Sequence, residues 1–248
     1  MPRIFLPMEG NPQRILISGE NARYLTTILR CRCGHTLEIF DGKGHSISAT
    51  IVSLSKKEVV AEVTGVSPAN TESPLNLVLI QGVLKGEKMD FVIQKTTELG
   101  IREIIPAITE RSQLKETKKT ARWQKIAQDA ARQCGRSSVP SLHEPLLFHD
   151  LFSAYAPCSA SAERREGLLF WEEGGMALRD LRAKLGECVS MIVAVGPEGG
   201  FTEGEARLAE SRGFTIASLG KRTLRSETAA ISATAIIQFL FGDLGQGH

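Results

Sequence analysis

Val193-Ala194-Val195-Gly196-Pro197-Glu198-Gly199-Gly200-Phe201-Thr202-Glu203-Gly204-Glu205 is the stretch on which the fold turns. It closes a largely apolar run over residues 189–195, the pattern of a strand buried on both faces. Gly196, Gly199 and Gly200 permit positive φ and close backbone approach, and Pro197 fixes φ between them. Thr202 and Glu205 have the spacing of a capping box, so a helix begins there. Ligands of open α/β sheets bind beyond the carboxyl ends of the strands, where this turn falls. The rival reading is a βα turn that binds nothing. Three glycines and a proline in five residues exceed what such a turn needs, which favours a ligand loop.

The same alternation extends outward. A strand over 214–219 leads into Leu219-Gly220-Lys221-Arg222-Thr223-Leu224-Arg225-Ser226-Glu227-Thr228 and a helix over 228–241. Ser226 or Thr228 is expected to cap that helix, whose positive end favours anions. Gly220-Lys221 does not complete a phosphate-binding P-loop, because Thr215 stands where its first glycine belongs. Upstream, 75–83, 101–108 and 167–171 read as strands. Residues 88–99 read as a helix with Met89, Val92, Ile93, Thr96 and Leu99 on one stripe and Gly100 as its stop. Residues 119–134 read as a helix with Trp123, Ile126, Ala127, Ala130, Ala131 and Cys134 inward. Strands alternating with helices predict an α/β domain with a mostly parallel sheet. Residues 135–166 yield no clear element.

The first seventy residues are β-rich instead. Residues 14–18, 36–40, 47–54 and 59–63 read as strands, with Asp41-Gly42-Lys43-Gly44 as a turn and one helix placing Tyr24, Leu25, Ile28 and Leu29 on a common face. They predict a small antiparallel barrel, and 67–74 reads as a linker.

Composition excludes several classes. The chain has 248 residues, 30 Lys+Arg against 28 Asp+Glu, and five scattered cysteines. Those thiols fit a reducing cytoplasm, and their spacing with the histidines predicts no metal site. No apolar signal segment is expected near the start, and the longest uncharged run, Thr228 to Gly242, is 15 residues, short of the roughly 20 that span a bilayer. The charge is unevenly spread. Residues 1–72 carry a net +1, 85–136 a net +5 and 137–248 a net −4. The excess lies on Lys115, Lys118, Lys119, Arg122, Lys125, Arg132 and Arg136, a face that could track phosphates or simply be solvated. No dinucleotide-binding GxGxxG follows the first strand of the α/β domain, and no nucleophile elbow exists.

In this order, Pro2-Arg3-Ile4-Phe5, Ile28-Leu29-Arg30, Phe40-Asp41-Gly42, Lys85-Gly86-Glu87-Lys88-Met89-Asp90, Gln94-Lys95-Thr96-Thr97-Glu98-Leu99-Gly100, Thr109-Glu110-Arg111-Ser112, Gln133-Cys134-Gly135-Arg136, Gly196 to Phe201 and Leu224-Arg225-Ser226-Glu227-Thr228-Ala229 resemble RsmE-type methyltransferases over nearly the whole chain. That family methylates N3 of a uridine in 16S ribosomal RNA. One departure stands out: Tyr24 occupies a position, six before Arg30, where the family usually has His.

The resemblance implies a PUA-like RNA-binding barrel over 1–70 and a SPOUT domain over 74–248, with a C-terminal trefoil knot and a homodimer. It implies S-adenosylmethionine held by Phe170, Trp171, Gly196, Pro197, Glu198, Gly199, Gly200, Leu219, Gly220 and Leu224, without metal. Arg225 is then expected to stabilise charge on the base, with Glu198 or Glu227 accepting its proton. Arg3, Arg30, Lys118, Lys119, Arg122 and Arg222 are expected to contact RNA, whose target base must leave its stack. The rivals are a SPOUT enzyme methylating ribose 2′-oxygens and a non-catalytic RNA-binding assembly protein.

Overall fold

Alternating burial forms the first sheet. In β2 (Arg14–Ser18), Ile15 and Ile17 point inward between exposed neighbours. The computed structural model describes residues 1–8, 10, 12–68, 71–113, 119–158 and 164–245, in two units: Met1–Glu72 with Ala131–Val139, and Ser73–Ala130 with Pro140–His248. The first unit holds β1 (Arg3–Phe5), β2, α1 (Gly19–Arg23), β3 (Thr36–Phe40), β4 (His45–Leu54) and β5 (Glu58–Pro68). The strand order is β1-β3-β4-β5-β2, antiparallel except for β1 on β3. Ile4, Leu25, Leu37, Ile39 and Ile51 fill the core between them. Asp41 Oδ1 shapes the β3–β4 turn by accepting from the amides of Lys43 (2.7 Å) and His45 (3.1 Å).

One expectation fails in this unit. The chain leaves α1 in a π-turn, Tyr24–Ile28. Wider turns break the 3.6-residue period, so the supposed common face divides. Leu25 is buried, but Ile28 and Leu29 are exposed. The boundary between the units, after Glu72, falls within the segment read as a linker; β5 runs to Pro68, and the Glu72 carboxylate takes hydrogen bonds from Arg136 Nη2 (2.7 Å) and the amides of Ser137 (3.1 Å) and Ser138 (3.0 Å). Polar composition alone does not reveal such tertiary partners.

The second unit follows the α/β pattern. In chain order come β6 (Asn76–Gly82), α2 (Lys88–Glu98), β7 (Glu103–Ile108), α3 (Thr120–Cys134), β8 (Ser141–Leu142), β9 (Leu146–Leu147), β10 (Glu166–Phe170), β11 (Met176–Ala177), α4 (Leu178–Leu185), β12 (Ser190–Val195), α5 (Glu203–Ser211), β13 (Thr215–Ser218) and α6 (Ser226–Phe241). The sheet order is β11-β13-β10-β12-β6-β7-β8, with β9 also on β7, and every pairing is parallel. Val78, Ile80, Ile105, Ile192 and Phe201 form its core with Phe148 and Phe152, which come from a 3₁₀ turn in the stretch the sequence left blank. Met89, Val92, Ile93 and Thr96 bury one face of α2, which ends at Gly100 with φ 85°. Cys134, expected inward, is exposed because it closes the last turn of α3 before Gly135 at φ 88°. Among the described residues no helix is long and apolar enough to cross a membrane.

Candidate active site

Three adjacent parallel strands, β13, β10 and β12, end side by side at Ser218, Phe170 and Val195. Their outgoing loops border one cavity, placed beyond the carboxyl ends of the strands where open α/β sheets bind ligands. Phe170, Trp171, Leu219 and Leu224 supply apolar wall, and Gly196, Pro197, Glu198, Gly200 and Gly220 supply backbone. Gly199 does not line the cavity; it backs onto Arg111 on the other side of the turn.

Close approach explains the glycines. A Cβ at Gly82, the last residue of β6, would lie 2.4 Å from Pro197 N, so only glycine lets this strand end against the turn. Gly200 has φ +70°, in the left-handed region that favours glycine. The turn then feeds α5 through the expected capping box, with Thr202 Oγ1 accepting from Glu205 N (3.2 Å) and Glu205 Oε2 from Thr202 N (2.9 Å).

The start of α6 differs from expectation. Neither Ser226 nor Thr228 caps it: Arg225 is the N-cap residue and no side chain accepts a capping hydrogen bond. Ser226 is buried and its hydroxyl donates to the Gly196 carbonyl, a buried acceptor that competes for it. Gln81 Nε2 completes the cluster, donating to Gly196 O (3.3 Å), Ser226 Oγ (3.1 Å) and Gly82 O (2.9 Å). Sequence reasoning missed Gln81, although a lone amide near the end of the apolar run 75–83 was the available signal; the structure buries it fully.

The charged candidates separate. Glu198 Oε1 accepts from Lys85 N (3.1 Å) and Lys88 Nζ (3.1 Å). Partial burial pushes its carboxyl up, but the amides of Glu198 and Lys85 and the Lys88 ammonium outweigh this and hold it below the usual glutamate value. Arg222 reaches the cavity lining, whereas Arg225 is exposed beside it; neither has an ion pair among the described residues. Glu227 is half-buried, and its Oε2 is buried without a hydrogen-bond partner.

The expected RNA contacts separate too. Arg3 is turned inward: Nη1 donates to Ala131 O (3.1 Å) and Nη2 to Arg136 O (2.8 Å), while the guanidinium lies 4.3 Å above the Phe40 ring. Arg30 is exposed at φ 52°, the one non-glycine positive φ among the described residues. Arg122 pairs with Asp90 (2.6 Å), Lys119 Nζ reaches Gly86 O (3.5 Å), and Lys118 and Lys115 lie outside the described residues. Arg132 stacks over Tyr24 at 4.6 Å, and Arg136 is buried against Glu72. Much of the basic excess is therefore already partnered within the chain.

A glycine turn, the apolar side chains of Phe170, Trp171, Leu219 and Leu224 and a carboxylate, Glu172, fit an adenosine-bearing sulfonium such as S-adenosylmethionine. The comparisons agree on the class. Residues 71–238 match the RNA methyltransferase domain family, and residues 17–64 match the RNA methyltransferase PUA domain family. The fold and its pocket define an RNA methyltransferase. Ribosomal RNA small subunit methyltransferase E of Buchnera aphidicola is 32% identical over 251 residues, covering 98% of this chain and 95% of that protein. The Bacillus subtilis protein of the same name is 32% identical over 233 residues, covering 90% and 89%. The crystal structure of ribosomal RNA small subunit methyltransferase E from Neisseria gonorrhoeae, bound to S-adenosyl methionine, superposes with a TM-score of 0.87 at 36% identity, covering 98% of this chain and 99% of that one. The chain belongs to the ribosomal RNA small subunit methyltransferase E family.

Proposed function

We propose that this protein transfers a methyl group from S-adenosylmethionine to N3 of a specific uridine in 16S ribosomal RNA. The observation that carries this is the cavity closed by three loops at the ends of β13, β10 and β12, in a chain matching its named relatives nearly end to end. Bound S-adenosylmethionine supplies an electrophilic methyl group. The chain's residues do the rest. Phe170, Trp171, Leu219 and Leu224 exclude water from the apolar part of the cofactor, and the Gln81–Ser226–Gly196 cluster holds the turn in place.

Uridine N3 carries a proton at neutral pH, so that proton must leave as N3 bonds to carbon. Glu227 suits the acceptor role better than Glu198. Its Oε2 has no partner to release, whereas Glu198 is held by Lys88 and its weakened basicity favours a bracing role. Arg225, at the positive end of α6, faces the negative charge that develops on the base. Arg30, Lys118, Lys119, Arg122 and Arg222 are the RNA contacts of this proposal. Arg3 is better assigned to tying Ala131 and Arg136 into the first unit.

The same reading takes 1–70 as a PUA-like barrel and 74–248 as a SPOUT domain in the cytoplasm. Barrel closure is supported by β1 and β2, consecutive in the chain yet at opposite edges of their sheet. A trefoil knot is supported by Ser226, where the chain returns after β13 to reach both the end of β6 and the turn after β12. A homodimer is supported by α6, which carries no charge from Thr228 to its end and leaves Phe239 exposed.

Nucleoside mass spectrometry of small subunits incubated with the protein and labelled S-adenosylmethionine tests the reaction. Labelled 3-methyluridine at one site is expected. Label on a ribose 2′-oxygen, or none, overturns it.

A further inference from the structure

We propose that Arg111 is a positioning residue for the methyl-transfer site, holding the glycine turn in shape from behind; this rests on reading that turn as a cofactor loop. Arg111 stands outside the cavity lining, and among the described residues its guanidinium bonds to the back of the turn. Its Nη1 donates to Gly199 O (2.8 Å) and Phe201 O (3.3 Å). Trp171 Nε1, from the loop after β10, donates to the same Phe201 carbonyl (3.3 Å). A Cβ on Gly199 would meet Arg111 Cβ at 3.0 Å and Cδ at 3.4 Å, so the arginine stem lies across the bare face of that glycine.

Arg111 is itself held. Ser112 Oγ accepts from Thr109 N (3.0 Å), the Ser112 amide donates to Thr109 O (3.2 Å), and both residues are buried. Between them, the Glu110 amide donates to Glu205 Oε1 (2.9 Å). The other oxygen of that carboxylate closes the capping box of α5. One carboxylate thus ties the arginine's turn to the helix that the glycine turn feeds, and the guanidinium closes the circuit onto the glycine turn. A cationic donor on a carbonyl is stronger than a neutral one and tolerates less drift. The wall of the cavity keeps its shape through contacts that never touch the ligand.

The test uses the full chain with Arg111→Ala, Arg111→Lys and Gly199→Ala. S-adenosylmethionine binding is followed by calorimetry, and methyl transfer to small subunits by steady-state kinetics. Arg111→Ala is expected to weaken S-adenosylmethionine binding by about ten- to a hundredfold, the effect of losing charge-assisted hydrogen bonds. KM for S-adenosylmethionine should rise in parallel, while kcat at saturation and KM for RNA stay within about threefold, since no transition-state contact is lost. Arg111→Lys should recover part of the affinity by donating to Gly199 O. Gly199→Ala should reproduce the defect by displacing the stem, and these two variants carry the test should Arg111→Ala fail to fold. Wild-type affinity in Arg111→Ala, or a loss confined to kcat, overturns the proposal while leaving the cofactor reading intact. A wild-type chain that binds no S-adenosylmethionine overturns that reading and this proposal together.

Discussion

Arg225 and Glu198 are both expected to act on the target base, and their surroundings separate them. Arg225 is exposed at the N-cap of α6, outside the cavity lining, with no ion pair among the described residues to break before meeting RNA. Arg225→Ala is therefore expected to lower kcat by about a hundredfold or more, the typical effect of removing one charge-stabilising donor. Calorimetric affinity for S-adenosylmethionine should stay near wild type, and unchanged turnover would end the catalytic assignment. Glu198, held by Lys88 and two amides, has a carboxyl lowered from its ordinary 4.5. A depressed carboxyl stabilises the fold above its unfolded pKa and loses that contribution as pH falls through the folded value. Glu198→Gln should thus lower the melting temperature at pH 7 and leave it nearly unchanged well below pH 4.5, compared in parallel thermal melts with wild type. An equal loss at both pH values would remove the electrostatic account.

At the level of elements, periodicity reads well where neighbours are repetitive. The apolar stripe of α2, the strands β6, β7, β10, β12 and β13 and the capping box of α5 all follow local rules, and the structure keeps them. It departs where a tertiary partner outcompetes the local one. Ser226 has a capping residue type, yet the buried Gly196 carbonyl takes its hydroxyl. The π-turn at Tyr24–Ile28 breaks a helical face, and α3 displays a basic face whose charges are partly matched at home. Arg122 already meets Asp90 at 2.6 Å, and Asp90 also accepts from Trp123 Nε1 (3.0 Å). Its replacement should therefore cost less RNA affinity than the charge count suggests. Arg122→Gln is expected to reduce the slope of log K against log salt by less than the about 0.7–0.9 that one fully released counterion requires. Titrations with a small-subunit RNA fragment at several salt concentrations measure this, and a slope reduced by the full amount would overturn it.

Over the whole molecule, the near-neutral total of +2 hides a division of labour between a basic middle and an acidic C-terminal part. The cavity wall is drawn from loops far apart in sequence, so motif spacing marks the loops while leaving Gln81 unseen and Arg111, quoted in a motif, without a role. The last of these distant relations concerns α6. It carries no charge from Thr228 to its end and packs against α2 and β12, yet Phe239 is 64% exposed. Helices that are apolar on nearly all sides are normally covered. Sixteen residues span only about 24 Å, so a standard interface of about 800 Å² per partner must recruit more than this helix. Phe239 would still lie in its apolar part, where an aromatic anchor is costly to lose. Phe239→Glu would place a charge there and is expected to weaken self-association by about a hundredfold or more, by the cost of burying an unpaired carboxylate. Sedimentation velocity at low micromolar concentration should then find a dimer for wild type and a monomer for the variant. A wild-type chain that sediments as a monomer refutes the dimer, and a variant that stays dimeric removes Phe239 from its interface.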